Sequence, residues 1–461
     1  MNPKVGFLPL YIKLYDDMDP ETRAPLTAYM ETLASMLAAE GLDIVRAPVC
    51  CVRNEFEAAA RKFIDSGIDV IVTYHLAYSP SLESIGAIKS VGVPVVALNT
   101  TPRYDLSANM DRSDIMPNHG IHGVQDLCNL LKRCGCFYSV EAGHAFHSNV
   151  IARVAGFCRA AKAARAFKNA KVGSVGGAFD GMGDFVVPSE VYRRTIGARV
   201  LPLSPKRAAA FSAAVTEDDI NAEIKADADR FCVEVKDAAN YRAATRAGLA
   251  LRQWELEEGL TGLTVNFMAM KEKARLPKMP FLELSKAMMR GVGYAGEGDT
   301  LTAGMVGALL SVYRDTTFTE MFCPDWALGC VLLSHMAEMN LNLSCYRPVL
   351  SDVHFPYAST GDTVAAYGCM RKGDAVLVNL APTTEGYNLI VSSVEMLDLG
   401  REHGSYRYAI EGWMKPGLPL SEYLKAYSFA GGTHHSALVY GAPIREIEAF
   451  GRMMTFNTVV I

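Results

Sequence analysis

The sequence predicts an α/β protein: two doubly wound α/β domains followed by a mostly antiparallel, barrel-like β domain. Three observations support this. Short apolar runs rich in β-branched residues alternate with amphipathic helical patterns through the first third of the chain, which is the pattern of a parallel sheet covered by helices. A second alternation follows. From about residue 350 the runs take a period of two and are joined by Gly/Asp turns, as in antiparallel strands. At 461 residues the chain is too long for one core, and boundaries are expected at 1–167, 168–314 and 315–461.

In the first region the strands are "KVGFLPLYI", "LDIVRAPV", "IDVIVTYH" and "PVVALNTT", with helices such as "LTAYMETLASMLAAEG" and "EFEAAARKFIDSG" between them. Ligands of such sheets bind beyond the strand C-termini. That places Lys13, Tyr15, His75, Asn99 and Thr100 near one edge, and helices around 121–133 and 148–166 close the unit. The second region runs through "AKVGSVGG", "ARVLPLSP" and "LTVNFMAM", with the long helix "YRAATRAGLALRQWELEEG". Its stretch "GSVGGAFDGMGD" matches neither G-x-G-x-x-G nor a P-loop, so it reads as a flexible loop near a ligand, with Met182 as a contact. The third region supplies "TVAAYGCM", the turn "RKGD", "AVLVNLAPT", "YNLIVSSVEML" and "YRYAIEGW", then the helix "PIREIEAFGRMM" and the strand "FNTVVI".

Composition narrows the partners. A formal net charge of −5 with acids and bases interspersed gives no electrostatic footprint for nucleic acid and no basic face for a membrane. A small neutral or weakly charged ligand fits better. The start, "MNPKVGFLPLYIKLYDDMD", carries charge where a signal peptide needs an apolar stretch, and no segment approaches the roughly 18 apolar residues of a membrane span. A soluble, cytoplasmic protein is expected. Its eleven cysteines lack regular spacing and read as reduced, mostly buried thiols; neither Cys134 and Cys136 nor Cys50 and Cys51 has zinc-ribbon or redox spacing.

One stretch asks for chemistry. In "GVGYAGEGDTLTAG" a carboxylate, Glu297, stands between Gly296 and Gly298, presented on a backbone that can turn tightly and let another group approach. Before it, "PFLELSKAMMRG" reads as a helix opened by Pro280 and stopped by Gly291; after it, Asp299 or Thr300 can cap "LTAGMVGALLSVY". Glu297 thus falls in a helix-to-helix or strand-to-helix junction. An isolated Gly-Glu-Gly is more often a solvated turn. Three other segments, however, hold ligand-type residues: "TTFTEMF" with Glu320, the apolar helix "GCVLLSHMAEM" with His335, and "AGGTHHSAL" with His434 and His435. A histidine in an apolar helix is usually a hydrogen-bonded core residue, and a buried glutamate can simply pair with a base. Together, though, two carboxylates with one or two imidazoles and no cysteine form a mixed oxygen and nitrogen set suited to Mn²⁺ or a similar divalent ion.

In order and at closely similar spacings, "GYAGEGD", "TTFTE", "LLSHMAE", "PVLSDVHF" and "AGGTHH" resemble the L-arabinose isomerases, with the L-fucose isomerases as more distant relatives. The likeness extends more loosely to "LTVNFMAM" and "NHGIHG". It implies that Glu297, Glu320, His335 and His435 bind a divalent metal, usually Mn²⁺, and that the two glutamates carry the proton transfer of an aldose–ketose isomerisation. Phe267, Met182, His434, His122 and Asn118 would fall around the sugar. The resemblance also implies a homo-oligomer with shared sites, a trimer or hexamer or else a tetramer, in which the residue matching His122 reaches a neighbour's site. At the first strand the chain departs from the family, with "PLYIKLYDDMD" where members carry Gln-His-Leu-Tyr-Gly. The sugar is therefore left open among a pentose, a 6-deoxyhexose and one bearing an acidic group.

The chemistry asks for these groups. An enediolate develops charge on two oxygens, which a metal stabilises as a Lewis acid, and two flanking carboxylates act as base and acid. On this reading the glycines leave the sugar room beside Glu297, and Glu338, placed on the same helix as His335, has no role. Two other readings stand beside it: a sugar-binding or regulatory module without turnover, for which a second carboxylate is superfluous, and a metal-dependent epimerase or aldolase using the same ligands.

Overall fold

The computed structural model describes residues 2–108, 110–270, 275–399 and 408–461. The chain forms two compact units, Met1–Lys162 and Ala163–Ile461.

The first unit is built on a five-stranded, wholly parallel sheet of β1 (Lys4–Leu10), β2 (Asp43–Arg46), β3 (Val70–His75), β4 (Val95–Asn99) and β5 (Tyr138–Ala142), in the order β2-β1-β3-β4-β5. The central strands are buried along nearly their whole length, which is why they read as continuous apolar runs instead of alternating ones. Helices Arg53–Ser66, Ser81–Val91 and Ile121–Arg133 cover one side, where Phe56, Phe63, Leu127 and Leu131 pack on Leu8, Leu10 and Ile71.

The second unit opens on another parallel sheet, of β6 (Lys171–Val175), β7 (Arg199–Pro202), β9 (Gly262–Val265) and β10 (Gly293–Gly296) in the order β10-β9-β6-β7, while the short β8 (Cys232–Val233) belongs elsewhere. Then come β11 (Thr316–Asp325), β12 (Cys330–Ser334), β13 (Val349–Val353), β14 (Thr363–Tyr367), β15 (Gly373–Pro382), β16 (Tyr387–Leu397), β17 (Gly412–Pro416), β18 (His435–Tyr440) and β19 (Asn457–Val460). Strands β15-β18-β11-β12-β17-β16 form an antiparallel sheet that pairing of β15 with β16 closes into a six-stranded barrel, and β19 adds in parallel to β16.

Three expectations on this region change. "TVAAYGCM" is not a barrel strand: β14 pairs with β13, which pairs in turn with β8. "RKGD" therefore joins strands of different sheets, and the barrel's tight hairpin is the β15–β16 turn, closed by Thr383 N–H to the Gly386 carbonyl. "GCVLLS" is a strand, not a helix, because its apolar run pairs on both sides, with β11 and β17; periodicity alone does not separate a short apolar strand from a buried helix. Of "YRYAIEGW", Tyr406 and Arg407 lie outside the described residues.

Candidate functional site

The junction around Glu297 runs from strand to helix. β10 ends at Gly296, and Asp299 caps the helix Thr300–Leu310 by accepting the Thr302 N–H. Glu297 itself has φ +54° and Gly298 φ +89°, a left-handed pair that is costly for any residue but glycine and persists only where surroundings fix it. The fixing groups are nearby. The Thr264 hydroxyl donates to the Gly296 carbonyl and accepts from the Gly298 N–H, and the Glu297 carbonyl accepts from the Phe179 N–H at 2.7 Å. A Cβ on Gly298 would stand 2.2 Å from the Gly177 carbonyl oxygen, and one on Gly296 would stand 3.0 Å from the His335 ring. The glycines thus make room for a loop backbone and for an imidazole, which corrects the expectation that they clear space for a ligand.

Barrel register brings the other groups to the same point. Glu320 on β11 lies opposite His435 on β18 and opposite Ser334 on β12, one residue before His335. Just beyond Glu320 the β11–β12 ladder bulges between Met321 and Cys323, as strands commonly do beside functional sites. As a result, ligand atoms of Glu297, Glu320, His335 and His435 lie within 4.8 Å of one another. His435 Nε2 is 3.0 Å from Glu297 Oε2 and 2.9 Å from Glu320 Oε1; His335 Nε2 is 3.6 and 3.7 Å from the same two carboxylates.

Each ring is held from behind by a second acid. His435 Nδ1 lies 2.9 Å from Asp299 Oδ2, and His335 Nδ1 lies 2.6 Å from Glu338 Oε2. Glu338 also accepts from the Ala337 N–H and the Tyr294 hydroxyl. An acid behind each Nδ1 keeps that nitrogen protonated and turns Nε2 toward the cluster, an arrangement typical of metal-binding histidines. Glu338, read from sequence as idle, is therefore an orienting group. Phe185 stacks on His435 at 5.2 Å and Phe318 meets both rings edge-on at 4.8 and 5.0 Å, so the imidazoles are gripped by aromatics.

Electrostatics follows from burial and partners. Burial pushes the Glu297 carboxyl up, but hydrogen bonds and charge from His335 and His435 hold it well below the usual carboxylate range. Burial would push His335 down, yet Glu338 and Glu297 carry it up to about 10; His435 rises well above its ordinary value against the same burial, through Asp299, Glu297 and Glu320. Four carboxylates thus face two imidazoles. Two protons on the rings, or one divalent cation with the rings neutral, leave the same net charge. The donor set fits such a cation.

Of the other residues singled out, His434 sits at the rim. Its Nδ1 is 2.6 Å from Asp184 Oδ2, its N–H donates to the same oxygen, and its Nε2 is 3.7 Å from Glu320. Met182 is half-buried in the glycine-rich loop two residues before Asp184. Phe267 packs between Phe179 and Phe355, with ring centroids 5.5 and 5.6 Å away. Asn118 and His122 belong to the first unit. The Asn118 side chain accepts from the Arg103 N–H and donates to the Asp114 carbonyl. His122 is exposed, with Nδ1 3.3 Å from that of His119, whose ring meets Tyr15 edge-on. His75, at the end of β3, is buried with neither ring nitrogen hydrogen-bonded among the described residues, and burial pushes it down to about 3. Sequence reasoning missed Glu338, Asp184, Phe185 and Phe318 as part of the site and saw Asp299 only as a cap. The available signal was their spacing: Glu338 stands three residues after His335, and Asp299 two after Glu297.

Comparison with known proteins agrees. Residues 195–314 match the L-arabinose isomerase central domain and residues 315–457 the L-arabinose isomerase C-terminal domain. The chain is 24% identical to an L-arabinose isomerase of Nocardioides sp., covering 86% of this chain and 81% of that one. Against those of Aeromonas salmonicida and Escherichia coli K12 it is 23% and 22% identical, covering 91% and 96% of this chain and 86% and 91% of theirs. A solved periplasmic solute-binding protein from Actinobacillus succinogenes with bound D-allose aligns with 68% of this chain and 92% of its own at 13% identity, but with a TM-score of 0.19. No described helix is long and apolar enough to cross a membrane. With the cluster of acids and imidazoles at the meeting of its parallel sheet and its barrel, the chain belongs to the L-arabinose isomerase family, and is a sugar isomerase of the aldose–ketose, intramolecular oxidoreductase class.

Proposed function

We propose that the protein interconverts an aldose and its ketose with Glu297 and Glu320 as the proton-transferring pair and with Glu297, Glu320, His335 and His435 holding a divalent cation, Mn²⁺ by preference. One observation carries this: two carboxylates and two imidazole nitrogens converge within 4.8 Å, each ring backed by an acid. A cation held by these four residues would supply Lewis-acid stabilisation to negative charge developing on the substrate oxygens. Glu297, kept ionised by its imidazole neighbours, is ready to accept a proton from one of the two adjacent carbons, and Glu320 serves the complementary transfer. His434, oriented by Asp184, offers Nε2 to a sugar hydroxyl at the rim, with Met182 and Phe267 as further contacts. The reading extends to assembly: the exposed His122, with Asn118 holding its segment, completes the site of a neighbouring copy in a trimer, hexamer or tetramer.

The test is a panel of pentoses, 6-deoxyhexoses and acidic sugars incubated in D₂O with Mn²⁺-loaded and chelator-treated protein. Exchange at C2 and ketose formation are expected with at least one sugar, and only with metal. Full turnover in stringently metal-free protein, or no exchange with any sugar, would overturn the proposal.

A further inference from the structure

Cys345 and Cys369 form a pair that the isomerase chemistry does not use. Ser344 and Met370 make an antiparallel bridge, flanked by hydrogen bonds from the Cys345 N–H to the Cys369 carbonyl at 2.8 Å and from the Arg371 N–H to the Leu343 carbonyl at 3.0 Å. That pattern places Cys345 directly opposite Cys369, in the hydrogen-bonded position of the ladder. Residues so placed have Cα atoms about 5.5 Å apart, inside the roughly 4.4–6.8 Å span a disulfide needs. Side chains directly opposite share a face. Here that face lines a cavity of about 160 Å³ with Lys372, Leu397, Glu411 and Trp413. Both are free thiols; Cys345 is exposed and Cys369 half-buried.

We propose that Cys345 and Cys369 are a peroxide-responsive dithiol that closes to a disulfide, tying the segment that leads away from His335 and Glu338 to the strand end beside Glu411. The order of events follows from access. Burial, then the nearness of Cys345 and of Glu411, pushes the Cys369 thiol far up, so it stays protonated and unreactive by itself. Exposed Cys345 reacts first: its sulfur attacks one oxygen of hydrogen peroxide, the O–O bond breaks, and a sulfenic acid and water result. The Cys369 sulfur then attacks that of Cys345. The S–S bond forms as the S–O bond breaks, and the departing hydroxide leaves as water with the Cys369 proton. The dithiol loses two electrons and the peroxide is reduced to water.

The test is hydrogen peroxide titration of the full-length protein, quenched by alkylation and followed by chymotryptic mapping, with exposed Cys323 as the reference for reactivity. Two of the eleven thiols should disappear together, a peptide joining Cys345 to Cys369 should form, and dithiothreitol should release it. In Cys369→Ser the Cys345 product should instead become sulfinic acid, or a mixed disulfide when glutathione is added. The proposal is overturned if Cys323 is modified while both members of the pair remain thiols. It is equally overturned if Cys345 is oxidised in the wild type without joining Cys369, or if Cys369→Ser leaves the fate of Cys345 unchanged.

Discussion

Replacing Glu338 by glutamine isolates the charge behind His335. The carboxylate accepts from His335 Nδ1 at 2.6 Å, from the Ala337 N–H at 3.0 Å and from the Tyr294 hydroxyl at 2.6 Å. A glutamine can keep all three contacts, its oxygen toward His335 and Ala337 and its amide toward the tyrosine oxygen, so folding is little disturbed. What disappears is the negative charge that makes the ring a strong ligand. Losses of this kind weaken metal binding about 10–100-fold, or about 1.4–2.8 kcal/mol. A second effect runs the other way. His335 is carried up to about 10, so near neutral pH its proton must leave before the ring can bind a cation, a penalty of roughly tenfold for each pH unit below that value. Without Glu338 the proton is held less tightly and the penalty shrinks. Competition titrations with Mn²⁺ from about pH 6.5 to 8.5 should therefore show wild-type affinity climbing with pH, and the variant climbing less steeply and falling further behind as pH rises. For stability the sign is the opposite. In metal-free wild type, the proton on His335 stabilises the fold fully below its ordinary value of 6.5, and that contribution is lost as pH rises through about 10. A variant matching wild-type affinity and slope throughout would refute the orienting role.

Other outcomes follow from the same geometry. Glu297→Gln and Glu320→Gln should each lower turnover at least about 100-fold under saturating Mn²⁺, read by steady-state kinetics with the active sugar. Asp299→Asn, which keeps an N-cap oxygen, should weaken Mn²⁺ binding with little change in melting temperature. Asp299→Ala should lose both, including about 1 kcal/mol of helix capping measured by denaturant unfolding. Inactive His122→Ala and inactive Glu320→Gln chains, dissociated and reassembled together, should regain partial activity if sites are shared; an active monomer in sedimentation would exclude it.

Much of this was visible in the sequence for a physical reason. Parallel strands of the first unit, such as "IDVIVTYH", are apolar throughout because both faces are covered, and turn residues mark their ends. Glu297, Glu320, His335 and His435 stood out as residue types that rarely sit in apolar or glycine-rich contexts without a partner. The backing acids did not, since Glu338 in "HMAEM" looks like any charged residue until strand β12 ends and the chain turns back beneath the ring. Equally hidden was the use of Gly298, whose bulk limit is set by Gly177, a residue remote in sequence. The partition of β14 from the barrel likewise depends on β13 and β8, a long-range pairing that no local period encodes.

The closed barrel bears on how reliably the site assembles. Glu320 projects into the cluster only because β11 lies in one register with β18 and β12; a shift by a single residue would turn it to the opposite face. An open sheet could tolerate such slippage at its edge. Here β11 has neighbours on both sides, and the β15–β16 seam closes the hoop around it, so one strand cannot slide unless the entire circuit is broken. Fidelity of the acid's position is thus enforced mechanically at the far side of the barrel, by the β15–β16 pairing.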